Sequence, residues 1–181
     1  MLENFLFELR SPLGIQIFST ITFFGSAFAA LTIVGFLLAM CVCKKHWHKA
    51  AGIFIGFVVA EGITALLKLL FHRPRPELFP PAVFETSFSF PSGHATTAAF
   101  VFGLIGYYAF LHWKTKKTRV LAIFCVVLAI FLIDLSRLYL GVHYLRDVIA
   151  GNIIGFLGLG IVVAMDRCLY RVRNKPIAYS D

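Results

Sequence analysis

Charge is what this chain has least of. Only 14% of its 181 residues are Asp, Glu, Lys or Arg, nine of them acidic, and residues 11–43 carry no charged side chain at all. A soluble domain averages about 25% charged and about 45–50% apolar residues. Here 59% are apolar and the mean hydropathy is +0.83. One small core cannot hide that excess, which excludes an ordinary soluble domain and implies an integral membrane protein. Cys-x-x-Cys pairs and His/Cys metal spacings are also missing. Cys41, Cys43, Cys125 and Cys168 fall in or at the ends of apolar segments, so they read as small apolar residues. There is no Asn-x-Ser/Thr sequon, long linker, repeat or low-complexity tract. The first residues lack the basic region and small-residue cleavage site of a signal peptide. They carry Glu3 and Glu8, with Leu2, Phe5, Leu6 and Leu9 on one helical face, the pattern of an amphipathic interfacial helix.

What is present implies an all-α fold: an integral membrane helical bundle of about five transmembrane helices plus the N-terminal amphipathic helix, one domain over 1–181. The uncharged run at 11–43 is longer than the roughly 20 residues a spanning helix needs. Pro12 and Gly14 are expected to break it, leaving 1–20 interfacial and the first span at about 21–43. Further spans are expected at about 50–70, 94–111, 120–138 and 146–166. Prolines in FHRPRPELFPP end the second, and the loop at 77–90 carries Phe79, Phe84, Phe88 and Phe90. Net charge is +8, but the basic residues cluster in short segments, so topology accounts for them before nucleic acid does. Eleven of the 17 Lys and Arg fall in 44–49, in 112–119 and after Asp166, all on one side of a five-span arrangement. The positive-inside rule puts that side, with the basic tail 167–181, in the cytoplasm. The opposite side, in a multi-pass protein of the cell (inner) membrane, faces out.

Three short motifs converge on that outer side: Lys68 with Arg75-Pro76, Pro91-Ser92-Gly93-His94, and Ser136-Arg137 with His143 and Asp147. Polar groups beside apolar stretches are expensive and mark function. Lys68 and Arg75 suit phosphate oxygens, one as a point charge and one as a fork; alone, they read equally as cations snorkelling at a helix end. Arg73 and Arg75 each precede a proline, which stiffens the segment. Ser92 and Gly93 open a helix whose N–H groups form an anion site, with His94 placed to protonate a leaving oxygen; the plainer reading is an N-cap beside an interfacial histidine. His143 and Asp147 are four apart and share a helix face, so the carboxylate can fix the imidazole tautomer; a surface His–Asp pair has the same spacing. Cations to clamp an anion, one histidine to attack and another to protonate fit phosphoryl transfer. Glu61 shares a face with Lys68, and Asp134 lies three residues before Arg137, so each is placed to support its cation. Gly151, Gly155, Gly158 and Gly160 read as close helix packing. His46, His48 and His112 sit in far-side basic segments and read as interfacial.

In these residues the chain resembles the type-2 phosphatidic acid phosphatase family, the lipid phosphate phosphatases. That family's signature is Lys-x6-Arg-Pro, Pro-Ser-Gly-His and Ser-Arg-x5-His-x3-Asp, and every position matches in type and spacing. The resemblance implies that His143 attacks phosphorus to form a phosphohistidine, that Asp147 orients His143, and that His94 protonates the leaving group and then assists water. It implies that Lys68, Arg75, Ser92, Gly93 and Arg137 hold the phosphate, with no metal and no cofactor. Many members have six spans; the count here is five plus the N-terminal segment. The expected activity is hydrolysis of a head-group phosphate from a membrane lipid within the bilayer. Undecaprenyl pyrophosphate comes first, phosphatidylglycerol phosphate second, then phosphatidic acid, with a lipid A phosphatase as an alternative. Neither nucleic acid nor an obligate protein partner is indicated. A non-hydrolytic lipid or anion transporter and a catalytically inactive scaffold are the rivals from other classes. A transporter needs no nucleophile, and a dead scaffold normally lacks a motif residue.

Overall fold

Pro12 opens a helix rather than breaking one. Ser11 is extended and its hydroxyl accepts the Gly14 N–H at 3.0 Å. Proline at the first helical position removes only an N–H that has no helical partner. In the computed structural model, which describes residues 2–76, 82–83 and 85–173, α1 (Leu2–Glu8) therefore leads into α2 (Pro12–Phe23). The chain bends over 24–26, and Ser26 caps α3 (Ala27–Cys43) by accepting the Ala29 N–H at 3.2 Å. The break expected at Pro12 and Gly14 thus falls later, at 24–26. The rest of the chain forms α4 (Trp47–Phe71), α5 (Gly93–His112), α6 (Lys116–Tyr139) and α7 (Leu145–Arg173). Among the described residues, five stretches are long and apolar enough to cross a membrane: Pro12–Cys43, Trp47–Phe71, Gly93–His112, Lys116–Tyr139 and Leu145–Cys168. Their outer faces present Phe28, Phe36, Phe54, Phe124 and Ile153, an apolar surface suited to lipid. The tail from Asn174 onward and the loop aromatics Phe79 and Phe84 lie outside the described residues.

α7 packs along both α4 and α5. Small residues allow it. A Cβ on Gly151 would meet that of Ala95 at 2.9 Å, and one on Gly155 would meet the Ala99 Cβ at 2.7 Å and the Phe100 N at 3.0 Å. Gly158 faces Ala60 and the backbone of Gly56 on α4. Close backbone approach of this kind holds helices together where lipid removes the hydrophobic drive. Gly160, expected to share the contact, has open space around it. Further in, Val34, Ile53, Phe100, Val101, Leu104 and Val162 form the core.

This packing brings the end of α4, the start of α5, the end of α6 and the start of α7 to one end of the bundle. α1 joins them there. Leu6 is buried with Leu138, Tyr139 and Val148, while Phe5 and Leu9 stay exposed; the side chain of Leu2 lies outside the described residues. The Tyr139 hydroxyl accepts the Ser11 N–H and donates to the Leu9 carbonyl, both at 3.0 Å.

Candidate active site

The turn between α6 and α7 presents His143. Gly141 adopts φ +73°, a conformation L side chains rarely take, and the chain reverses there before His143. Asp147 lies in the first turn of α7 and is fully buried. Its Oδ2 accepts the Tyr144 N–H at 3.0 Å, the back-reaching half of a capping box. The same oxygen accepts the Ser89 hydroxyl at 2.5 Å, and Oδ1 accepts Arg73 Nη1 at 2.7 Å. His143 Nδ1 lies 3.7 Å from Asp147 Oδ2, an ion-pair distance longer than a hydrogen bond, and 3.5 Å from Ser89 Oγ. On the other side of the ring, Nε2 lies 3.3 Å from Arg75 Nη1. A guanidinium only donates, so Nε2 accepts, and the neutral imidazole carries its proton on Nδ1, toward the carboxylate. Burial holds the His143 pKa down at about 4; Asp147 pulls it up, and Arg137, Arg75 and Lys68 add to the depression. His143 is therefore neutral near pH 7, with the Nε2 lone pair turned toward the cations.

The segment between α4 and α5 folds over this end. Lys68 Nζ donates to the Phe88 carbonyl at 2.5 Å and to Ser87 Oγ at 3.4 Å. Arg75 donates to the Ser87 carbonyl at 2.8 Å, Ser87 Oγ at 3.1 Å and the Val142 carbonyl at 2.8 Å. The Arg137 side chain is 1% exposed. Its Nη1 donates to Thr22 Oγ1 at 2.9 Å, its Nη2 is bonded to Glu85, and its buried Nε has no hydrogen-bond partner among the described residues. Ser92 caps α5, its Oγ accepting the Ala95 N–H at 3.4 Å, and its own N–H donates to the Asp147 carbonyl at 3.0 Å. The starts of α5 and α7 are thereby tied together.

A cleft of about 170 Å³ opens between these groups. Of the eight residues singled out from sequence, Lys68, Arg75, Gly93, His94 and His143 line it, with Glu85 and Ser87 beside them. Asp147 stands behind His143, Ser92 beneath the first turn of α5, and Arg137 behind Glu85. One expectation is corrected. Asp134 does not serve Arg137: its Oδ2 accepts Asn152 Nδ2 at 2.6 Å, because that face of α6 looks onto α7. Glu61 lines the cleft with Lys68, whose charge acts on it, while its carboxylate accepts the Thr97 hydroxyl at 2.9 Å, where α4 crosses α5. Three contributors were not assigned from sequence. Ser89 and Glu85 lie in the irregular loop, where no periodicity marks a side chain's direction. Arg73 was distinguished by its proline but had no partner until folding brought Asp147 to it.

Arg73 also lies over the Tyr144 ring, its Cζ 4.2 Å from the centroid. Arg73→Ala removes a charge-assisted bond worth about 1.5–3 kcal/mol. The expected result is a fall in kcat/KM of roughly 10–100-fold. With less cation beside Asp147, the His143 pKa should rise. A titration of His143 that stays near 4 in this variant would show that Arg73 only supports the fold.

A family model described as "PAP2 superfamily" matches residues 49–169. Phosphatidylglycerophosphatase B of Bacillus subtilis is 33% identical over 92% of this chain and 82% of its own length. Dolichyldiphosphatase 1 of Rhinolophus ferrumequinum is 30% identical over 69% of this chain, which spans 55% of that protein. The crystal structure of a transmembrane PAP2-type phosphatidylglycerolphosphate phosphatase from Bacillus subtilis superposes with a TM-score of 0.82 at 29% identity, covering 93% of this chain and 84% of the other.

Proposed function

The chain belongs to the PAP2 superfamily, and we propose that within it His143 takes the phosphate from a lipid head group as a phosphohistidine. It is a membrane protein homologous to lipid phosphatases, and hydrolysis of a lipid phosphate fits the relatives as a group; the transporter and scaffold readings are not favoured. The observation that carries the catalytic reading is the disposition of His143: Nε2 turned to Arg75 at 3.3 Å, Nδ1 backed by Asp147 and Ser89. In the first step Nε2 attacks phosphorus, and the lipid oxygen leaves with a proton from His94. In the second, water attacks the phosphohistidine, His94 takes the water proton, and inorganic phosphate departs. Lys68, Arg75 and Arg137 hold the charge that develops on the phosphoryl oxygens, with the Gly93 N–H at the start of α5; Ser92 supports that start as its cap, its own N–H being bound to the Asp147 carbonyl. No metal is needed for this. The likeness to phosphatidylglycerophosphatase B favours phosphatidylglycerol phosphate as substrate, and that to dolichyldiphosphatase 1 a polyprenyl diphosphate second. The basic segments, read by the positive-inside rule, support a cleft on the extracytoplasmic face of the cell membrane with the C-terminus in the cytoplasm.

The test is phosphate release by detergent-purified protein from phosphatidylglycerol phosphate, undecaprenyl pyrophosphate and phosphatidic acid, each with EDTA present. Release unaffected by EDTA and fastest from one lipid is expected. No release from any of them by folded protein, or release abolished by EDTA, would overturn the reading.

A further inference from the structure

The cleft already holds an anion, and it is the protein's own. Glu85 lies on the segment between α4 and α5, lines the cleft, and has a side chain 27% exposed. Arg137 Nη2 is bonded to its Oε1, and Arg75 Nη2 lies 3.8 Å from its Oε2. Burial would raise the Glu85 carboxyl, but the charge and hydrogen bond of Arg137 outweigh it and hold the group below the usual carboxylate range. Glu85 is therefore ionised near neutral pH. The other two acids nearby are committed elsewhere: Glu61 to Thr97, and Asp147 to Arg73, Ser89 and Tyr144.

A carboxylate and a phosphoryl group use a guanidinium in the same way, accepting its N–H donors along the fork. The Glu85 carboxylate takes a donor the phosphoryl group would use and, as a like charge on the same cations, repels it, so the two compete. On the reading of this cleft as a phosphate site, we propose that Glu85 is a built-in competing ligand, displaced when the substrate phosphate enters and returning to Arg137 as inorganic phosphate leaves. The arginines then never stand bare in a half-buried cleft, where an unpaired charge is costly. The surrounding segment can stay anchored while the side chain moves. Ala82 N–H donates to the Leu140 carbonyl at 3.1 Å and Ser89 N–H to the Arg73 carbonyl at 2.9 Å, one on each side of Glu85.

The experiment uses inorganic phosphate as the probe, with the full detergent-purified chain as wild type, Glu85→Gln and Glu85→Asp. Its Ki against lipid hydrolysis is measured alongside the rise it causes in the thermal unfolding midpoint, which needs no turnover. Removing the competing charge should lower the Ki of Glu85→Gln on the order of tenfold and enlarge its midpoint shift. Glu85→Asp keeps the charge but falls one methylene short of Arg137, so its Ki should fall by less. A Ki and midpoint shift that are unchanged, or a Ki that rises, would overturn the proposal. So would failure of both variants to fold, because a ligand that leaves in every turnover cannot be essential to the fold. If the wild type hydrolyses no lipid, the phosphatase reading falls by itself, and the midpoint shifts still decide the role of Glu85.

Discussion

Replacing His143 by alanine should lower lipid phosphate release on the order of 10⁴-fold or more, the scale seen when a nucleophile is removed and the rest of a site is left standing. The variant should remain folded, because the ring lies at a turn rather than in the core clusters. A rapid acid-free quench of the wild type with labelled substrate should capture phosphate on the protein, and the variant should capture none. Release that survives the substitution would remove His143 from the nucleophile's place. The protonation state has its own check. With its pKa held at about 4, His143 should titrate well below the roughly 6.5 of a free imidazole. In a spectrum of ring-labelled histidines, the signal missing from the alanine variant should have its midpoint near 4. Between about 6.5 and 4 the unfolded chain binds a proton at this residue that the native state refuses. The His143 contribution therefore destabilises the fold as pH drops through that window and vanishes above it. A midpoint near 6.5 would mean that the ring is not desolvated as the structure has it.

Gly151→Val should cost more activity than its place in a helix suggests. Even a Cβ at this position meets the Ala95 Cβ at 2.9 Å and the Thr96 N at 3.1 Å, with the Ser92 carbonyl closer still. The neighbours are mostly backbone, so relief requires α7 to move away from α5. Overpacking of this kind costs about 1–3 kcal/mol, or several degrees in unfolding midpoint at about 2–4 °C per kcal/mol for a chain this long. The same movement separates the start of α7, which carries Asp147, from the start of α5, which carries His94. A misplacement of about 1 Å is worth on the order of 10²-fold in rate. A hundredfold loss of kcat with a modest loss of stability is expected; Gly160→Val, with open space around it, is the control and should change neither. Equal effects at the two positions would show that the α5–α7 contact does not set the site.

Much of the bundle was legible because the bilayer imposes a simple code. Long uncharged runs, interrupted by basic segments and prolines, mark spans almost one for one. The error lay where that code is silent. Proline reads as a breaker when counted by type, but at the first position of α2 it is a good start, and the bend at 24–26 has no proline to announce it. Gly25 there brings the α2–α3 elbow against α6 and α5: a Cβ on it would meet the Ile133 Cγ2 at 2.7 Å and the His94 carbonyl at 3.2 Å. The site divides similarly. Lys68, Arg75, Gly93, His94 and His143 are motif residues, and the structure gathers them around one cleft. The carboxylate for Arg137 was sought three residues away at Asp134 and found 52 residues away at Glu85.

By itself the sequence determined membrane residence, the order of the spans, the family and the chemical types that meet at one end of the bundle. These depend on hydropathy summed along the chain and on spacings of a few residues, which a linear string records. Only the tertiary structure decided which group faces each buried acid: Arg137 faces Glu85, Arg73 faces Asp147 and Asn152 faces Asp134. Those pairings depend on how loops fold over helix ends and which faces the helices turn to one another. In a low-dielectric interior the partner is chosen by position in space, because a buried charge must be met by whatever group the packing brings to it.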